Sequence, residues 1–146
     1  AIALLADADS MQARLSKAQW LNEERRYEES IDLLKPFLPL YAQSEAVVML
    51  VTEAYLGIGD TGKAWDVISA IPVIEQMSLG FFDLKARAAD AVGHRVESYE
   101  ALAKQHVRKG EYLEAKKKLE QALKMPDISV VEKGRLEYAI KFLADK

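Results

Sequence analysis

The chain has 146 residues, which suits one domain or one short array but not two sizeable globular domains. Half of its residues are apolar, its net charge is −3 and it has no cysteine; this excludes a disordered tail, an overall basic field for nucleic acid, disulfides, thiolate zinc sites and cysteine nucleophiles. Seven glycines and four prolines point to long regular elements, no apolar run is long enough to span a bilayer, and the absence of an initiator Met and of a signal-peptide pattern points to a processed chain or an excised fragment.

Apolar spacing close to 3.6 predicts helices along the whole chain. The expected spans are about 9–24, 27–38, 44–57, 61–71, 78–92, 95–109, 112–124 and 129–144, with Ala1–Leu5 as the tail of a preceding helix. Tyr27, Ile31, Leu34 and Leu38 form one stripe, and Pro36 and Pro39 should fray or end that helix. The 45–57 stretch is apolar over more than half its circumference through Val48, Leu50, Val51, Tyr55 and Leu56, which predicts neighbours on two sides. Tyr112, Ala115, Leu119 and Ala122 make a stripe in the next-to-last helix. Gly57, Gly59, Gly62, Gly93 and Gly110 mark connections, and Pro72 and Pro126 mark stops. Ser129-Val130-Val131-Glu132 is a capping-box sequence. The helix it opens should bury Leu136, Ala139, Ile140 and Leu143 and show Lys133, Arg135, Glu137 and Lys141 on a wet outer side.

An internal period organises these helices. Ser30 and Ala64 close two similar turns 34 residues apart, and a further 34 residues reaches Ser98; Ala115 closes a third such turn half a period later. A 34-residue period with two helices per unit is that of the tetratricopeptide repeat. The chain resembles such an array through Ala18, Leu21, Ser30 and Leu34; then Tyr55, Gly59, Ala64 and Ile68; and finally Ala103, Gly110, Ala115, Leu119 and Ala122. Arg14 and Val48 stand where the family often has tryptophan, and Phe37 and Ile71 stand at a position it keeps small. The helix over 95–109 fits the second helix of one repeat through Ser98 and the first helix of the next through Tyr99, Leu102 and Ala103. That ending, and the stretch from Tyr27 to Pro36, is similar to the C-terminal repeat region of bacterial envelope zinc metallopeptidases.

The resemblance implies an all-α superhelix of about seven to eight antiparallel helices: a single array over 1–146. Its repeats would cover about 11–44, 45–78 and 79–110, the last overlapping with 96–129, before a capping helix at 129–144. It further implies a non-catalytic module that binds an extended or helical protein segment in a concave groove lined by first helices. The groove positions fall on Gln12, Leu15, Gln19 and Asn22; on Met49, Glu53 and Leu56; on Asp83, Arg87 and Asp90; and on Glu100, Lys104 and Arg108. The metallopeptidase likeness implies the periplasm and work on outer-membrane protein assembly or quality control. The alternatives are a stand-alone adaptor, in the cytoplasm or the envelope, and a scaffold that assembles with copies of itself. A carboxylate clamp of the co-chaperone kind is not expected, because Asn22 is the sole asparagine and Leu15, Gln19 and Leu50 occupy clamp positions.

Catalytic and cofactor motifs are missing. His94 and His106 lie twelve residues apart and cannot make His-Glu-x-x-His, so neither a metal nor a catalytic site is expected. No Gly-x-Ser-x-Gly elbow occurs, and Gly57-Ile58-Gly59-Asp60-Thr61-Gly62 lacks a phosphate loop's ending. Residues 1–70 carry −5 and residues 71–146 carry +2. The lysine run Lys116-Lys117-Lys118 is interleaved with Glu111, Glu114 and Glu120 and reads as a solvated, ion-paired face rather than a nucleic-acid site. Trp20, Trp65 and the tyrosines are expected to fill spaces between repeats.

Overall fold

A residue in the left-handed conformation just past a helix lets two backbone N–H groups turn back onto the last carbonyls and ends the helix cleanly. The computed structural model, which describes residues 2–72 and 77–146 with side chains from residue 10 onward, contains four copies of this turn. In the second copy, Gly59 has φ +81°, its N–H donates to the Leu56 carbonyl, and the Asp60 N–H donates to the Tyr55 carbonyl. Gly93-His94 repeats the pattern onto Asp90 and Ala89, and Gly110-Glu111 repeats it onto Val107 and His106. The residue after each left-handed position stands just before the next helix with nearly the same backbone: ψ is 61° at Arg26, 71° at Asp60, 71° at His94 and 67° at Glu111. Four residues further on, the N–H groups of Ser30, Ala64, Ser98 and Ala115 close the first helical turn onto those residues' carbonyls.

The first copy uses Arg25, at φ +60°, where the others have glycine. Left-handed backbone costs a residue bearing a Cβ roughly 1–2 kcal/mol. Arg25→Gly is therefore expected to stabilise the protein by about 1 kcal/mol, read as a higher urea midpoint; no gain would mean that the arginine side chain offsets the strain.

The chain is all-helical among the described residues, and no strand occurs there. The helices are α1 (Ile2–Glu23), α2 (Tyr27–Leu34), a 3-10 turn at Lys35–Phe37, α3 (Leu38–Tyr41), α4 (Glu45–Gly57), α5 (Thr61–Ala70), α6 (Leu79–Ala91), α7 (Arg95–Arg108), α8 (Tyr112–Leu123) and α9 (Val130–Ala144). Several starts lie one residue later than the sequence suggests. Ser44, Ser78 and Ser129 are not the first helical residues but the caps, each accepting from the N–H three residues on. Pro36 and Pro39, lacking N–H groups, break the expected 27–38 helix into α2, the 3-10 turn and α3. α1 runs as one helix from Ile2, so residues 2–5 belong to it rather than to a separate preceding helix; Ala1 lies outside the described residues.

The helices form two compact units, Ala1–Val73 and Ile74–Lys146. In the first, α1 packs on α2 and α4, α2 packs on α4, and α4 packs on α5. Its core joins Met11, Ala18, Ile31, Leu34, Val47, Val51, Ala54, Tyr55 and Ala64. α4 is buried on more than one side, as its broad apolar arc suggests. Arg14 and Phe37, both departures from the repeat pattern, meet one another: the guanidinium sits 4.5 Å from the ring centroid.

In the second unit α7 packs on both α6 and α8, and α8 packs on α9. Val96 and Ala103 of α7 join Ala115, Leu119, Ala122, Leu136 and Leu143 in one core. Arg135 of α9 reaches Glu100 of α7 with two hydrogen bonds of 2.7 Å.

Small residues stand at the close approaches. Ser30, Ala64, Ser98 and Ala115 are all buried, as are Ala18, Thr52, Ala86 and Ala103 on the helices that precede them. In the first hairpin the crossing is direct: the Ser30 hydroxyl donates to the Ala18 carbonyl at 3.4 Å. The Thr52 hydroxyl meets no hydrogen-bond partner among the described residues, although it is fully buried. A buried hydroxyl without a partner is unfavourable, and valine has the same shape. Thr52→Val should leave stability unchanged or raise it by up to about 1 kcal/mol in urea denaturation; a loss of that size would show that the hydroxyl is bonded in solution.

Two sequence expectations need correction. The outer side of α9 is not simply wet: Val130, Val131, Tyr138 and Phe142 are exposed there, beside the expected Lys133, Arg135, Glu137 and Lys141. Trp20, Tyr112 and Tyr138 do not fill internal spaces: all three are exposed, and the Arg26 guanidinium lies 5.3 Å from the Trp20 ring centroid.

Candidate protein-binding surface

Two first helices of hairpins, α1 and α4, lie side by side in the first unit. α1 turns Met11, Ala18 and Leu21 inward, which leaves Gln12 and Gln19 exposed on one flank and Leu15 half-buried at its edge. α4 turns Val47, Val51 and Ala54 inward, leaving Glu53 exposed and Met49 and Leu56 half-buried. The surface thus combines amides and a carboxylate with a few apolar edges. Gln19 reaches Glu23, four residues on, at 3.5 Å.

Asn22 departs from the expected groove set. It is buried, and its Nδ2 donates to the Leu50 carbonyl of α4 at 3.1 Å, so it ties α1 to α4 instead of facing solvent. Its Oδ1 has no partner among the described residues. The chain's one asparagine is therefore engaged in packing.

Behind these helices Gly57, at the end of α4, lies against the Tyr27 ring. A Cβ built there would come 2.5 Å from ring carbons. Alanine favours a helix by about 1 kcal/mol over glycine, but a clash of that depth costs about 1–3 kcal/mol. Gly57→Ala is expected to lower stability despite its helix propensity, and a rise in the thermal midpoint would show that the ring simply moves aside. A recess of about 450 Å³ opens nearby, lined by Arg25, Arg26, Tyr27, Glu28, Glu29, Gly57 and Ile58. Arg26 donates to both Glu29 oxygens across it. This pairing lowers the Glu29 carboxyl pKa and raises that of the arginine.

In the second unit Asp83, Arg87 and Asp90 are exposed on the flank of α6 opposite Phe81, Ala88 and Ala89. On α7, Lys104 is exposed, whereas Glu100 is held by Arg135. Arg108 donates to the Met77 carbonyl and Gln105 to the Leu79 carbonyl at 3.0 Å, so the end of α7 anchors the segment leading into α6. Asp90 accepts from Arg95 at 3.5 Å. The sequence reading did not single out Lys85. It is half-buried on α6, and burial, helped by Lys104, lowers its pKa against the opposing pull of Glu100 and Glu97. The second unit thus presents a network of alternating charges from α6, α7 and α9, while the first presents an amide and apolar surface.

Several other polar residues make local pairs and caps. Lys117 pairs with Glu114 at 3.4 Å and Lys116 with Glu120 at 3.9 Å, as the charge spacing suggests. His106 Nδ1 lies 2.8 Å from a Glu111 oxygen and His94 Nδ1 lies 3.9 Å from Glu97, each beside a repeat turn. Ser129 and Glu132 complete the capping box with two bonds of 3.0 Å, which lowers the Glu132 carboxyl pKa. Among the described residues, no group of three or more metal-ligating side chains is placed to hold an ion, and no helix is long and apolar enough to cross a membrane. In comparisons with known proteins, no family model matches the chain, and neither does any curated protein.

Proposed function

We propose that this chain is a non-catalytic protein-interaction module, a tetratricopeptide-type array whose first helices bind an extended or helical segment of another protein. The observation that carries the reading is the fourfold turn: left-handed residue, equivalent backbone, and a buried small residue as the fourth residue of the helix. Like turns followed by buried small residues are what stacked helical hairpins require. In the first unit the binding face would comprise Gln12, Leu15, Gln19, Met49, Glu53 and Leu56. Its amides can pair with a peptide backbone, and its half-buried apolar edges can receive alternate side chains.

In the second unit Asp83, Arg87 and Lys104 would form a charged face of its own, suited to a segment of complementary charge. By its likeness to envelope metallopeptidase repeats, this module would hold a substrate or assembly partner near a catalytic domain in the periplasm. A His-Glu-x-x-His motif encoded upstream of Ala1 supports that placement, and a start codon directly before Ala1 contradicts it.

A photo-crosslinking amino acid placed at Gln19, Met49 or Glu53 tests the binding face, with Lys63 and Asp66 of α5 as controls. The first three positions should capture a polypeptide whose mapped contact is one short segment, and peptides of that segment should bind equally as free acid and as amide. Equal labelling from α5, or a large preference for the free acid, would contradict the reading.

A further inference from the structure

α9 has two apolar faces, and the core uses one of them. Leu136 and Leu143 are buried, with Ala139 and Ile140 packed beside them. The face turned away carries Val130, Val131, Tyr138 and Phe142, which are 89%, 75%, 73% and 54% exposed. Val131, Tyr138 and Phe142 follow at i, i+7 and i+11, so they form one stripe along the helix. Together with Val130 they expose on the order of 500 Å² of mostly apolar surface, toward the upper end of the largest patch an ordinary monomer shows. Buried on both copies, that area totals about 1,000 Å², the lower bound for a specific interface.

The stripe is shaped to fit itself. Its C-terminal half is bulky, with Tyr138 and Phe142, and its N-terminal half is lean, with Val131 and Gly134. A Cβ built on Gly134 would meet nothing within 4 Å, so the space above the glycine is open. An antiparallel pair of α9 helices seats Tyr138 over Gly134 of a second copy and Phe142 over Val131, and the two-fold repeats both contacts. A parallel pair would stack Tyr138 on its own counterpart and leave a hole at the glycine. Opposed helix dipoles favour the antiparallel arrangement. We propose that the outer face of α9 is a homodimer interface, formed by antiparallel packing against α9 of a second copy of this chain.

The chain lacks cysteine, so two single variants, Val131→Cys and Phe142→Cys, test the geometry on a clean background. Mixed and oxidised, they should give a heterotypic disulfide dimer, while each alone should stay largely uncrosslinked. Sedimentation equilibrium from about 1 to 200 µM brackets the micromolar Kd of a modest interface and should show the 16.4 kDa chain doubling in mass. Tyr138→Glu should weaken the dimer at least about thirtyfold, the size of a hot-spot loss. Tyr138 is exposed in the monomer, so the same variant should keep the helical circular dichroism and urea midpoint of the monomer. A constant monomer mass, homotypic crosslinks at 131, or a dimer indifferent to Tyr138→Glu would each overturn the proposal.

Discussion

Ala64→Leu is expected to destabilise the first unit by about 2–3 kcal/mol, the cost of forcing extra methylenes into a well-packed crossing. Ala64 is fully buried in the core shared by α1, α2 and α4, at the position where Ser30 touches the Ala18 backbone one period earlier. A leucine there has no open direction, so α5 must shift away from α4 or the side chain must leave its preferred rotamer. Trp20 and Trp65 both lie in the first unit, so tryptophan fluorescence during urea denaturation reports on that unit. Asp66→Leu on the exposed side of α5 is the control and should change stability by less than about 0.5 kcal/mol. A similar small effect at Ala64 would show that the crossing is loose and that the repeated small residues have another cause.

In the second unit, Phe81→Ala should cost about 3–5 kcal/mol. Phe81 and Phe82 are adjacent, both buried, and meet edge to face with ring centroids 5.9 Å apart at 79°. Successive helical residues point about 100° apart, so the two rings wedge into the core on different sides of α6. Removing one ring deletes its transfer energy, leaves a cavity and ends the ring–ring contact. Leu79→Ala on the same helix is the natural comparison, because Leu79 is exposed and should lose less than about 1 kcal/mol. The loss is measured by circular dichroism against urea. A loss at Phe81 no larger than that at Leu79 would contradict the packing.

Much of this organisation is written locally in the sequence. Gly59, Gly93 and Gly110 mark turns because the left-handed backbone nearly demands glycine, and Ser44, Ser78 and Ser129 stand one residue ahead of the helices they cap. The prolines at 36 and 39 announce the break after α2 through the N–H groups they lack. The small residues at 30, 64 and 98 were legible as a period, and all three prove buried.

Other features depend on what lies across a helix pair, and single positions do not show it. Arg25 takes the left-handed slot without being glycine, and only its place 34 residues before Gly59 could have marked it. Asn22 is exposed by repeat position yet buried in fact, because the Leu50 carbonyl across the α1–α4 contact attracts its amide. Arg14 and Phe37 look like separate departures from the pattern until the guanidinium is seen over the ring. On α9 the spacing of Val131, Tyr138 and Phe142 was visible, but the buried set on the opposite side satisfied the helical pattern first.

The most direct test is a titration of the isotopically labelled chain with a peptide of the segment captured from Glu53, followed by amide NMR shifts. The predicted result is saturable shifts in the first unit concentrated on Gln12–Gln19 of α1 and Met49–Leu56 of α4, with α5 unchanged. Shifts concentrated on α5, or no saturable shift at any concentration, would contradict a first-helix binding face.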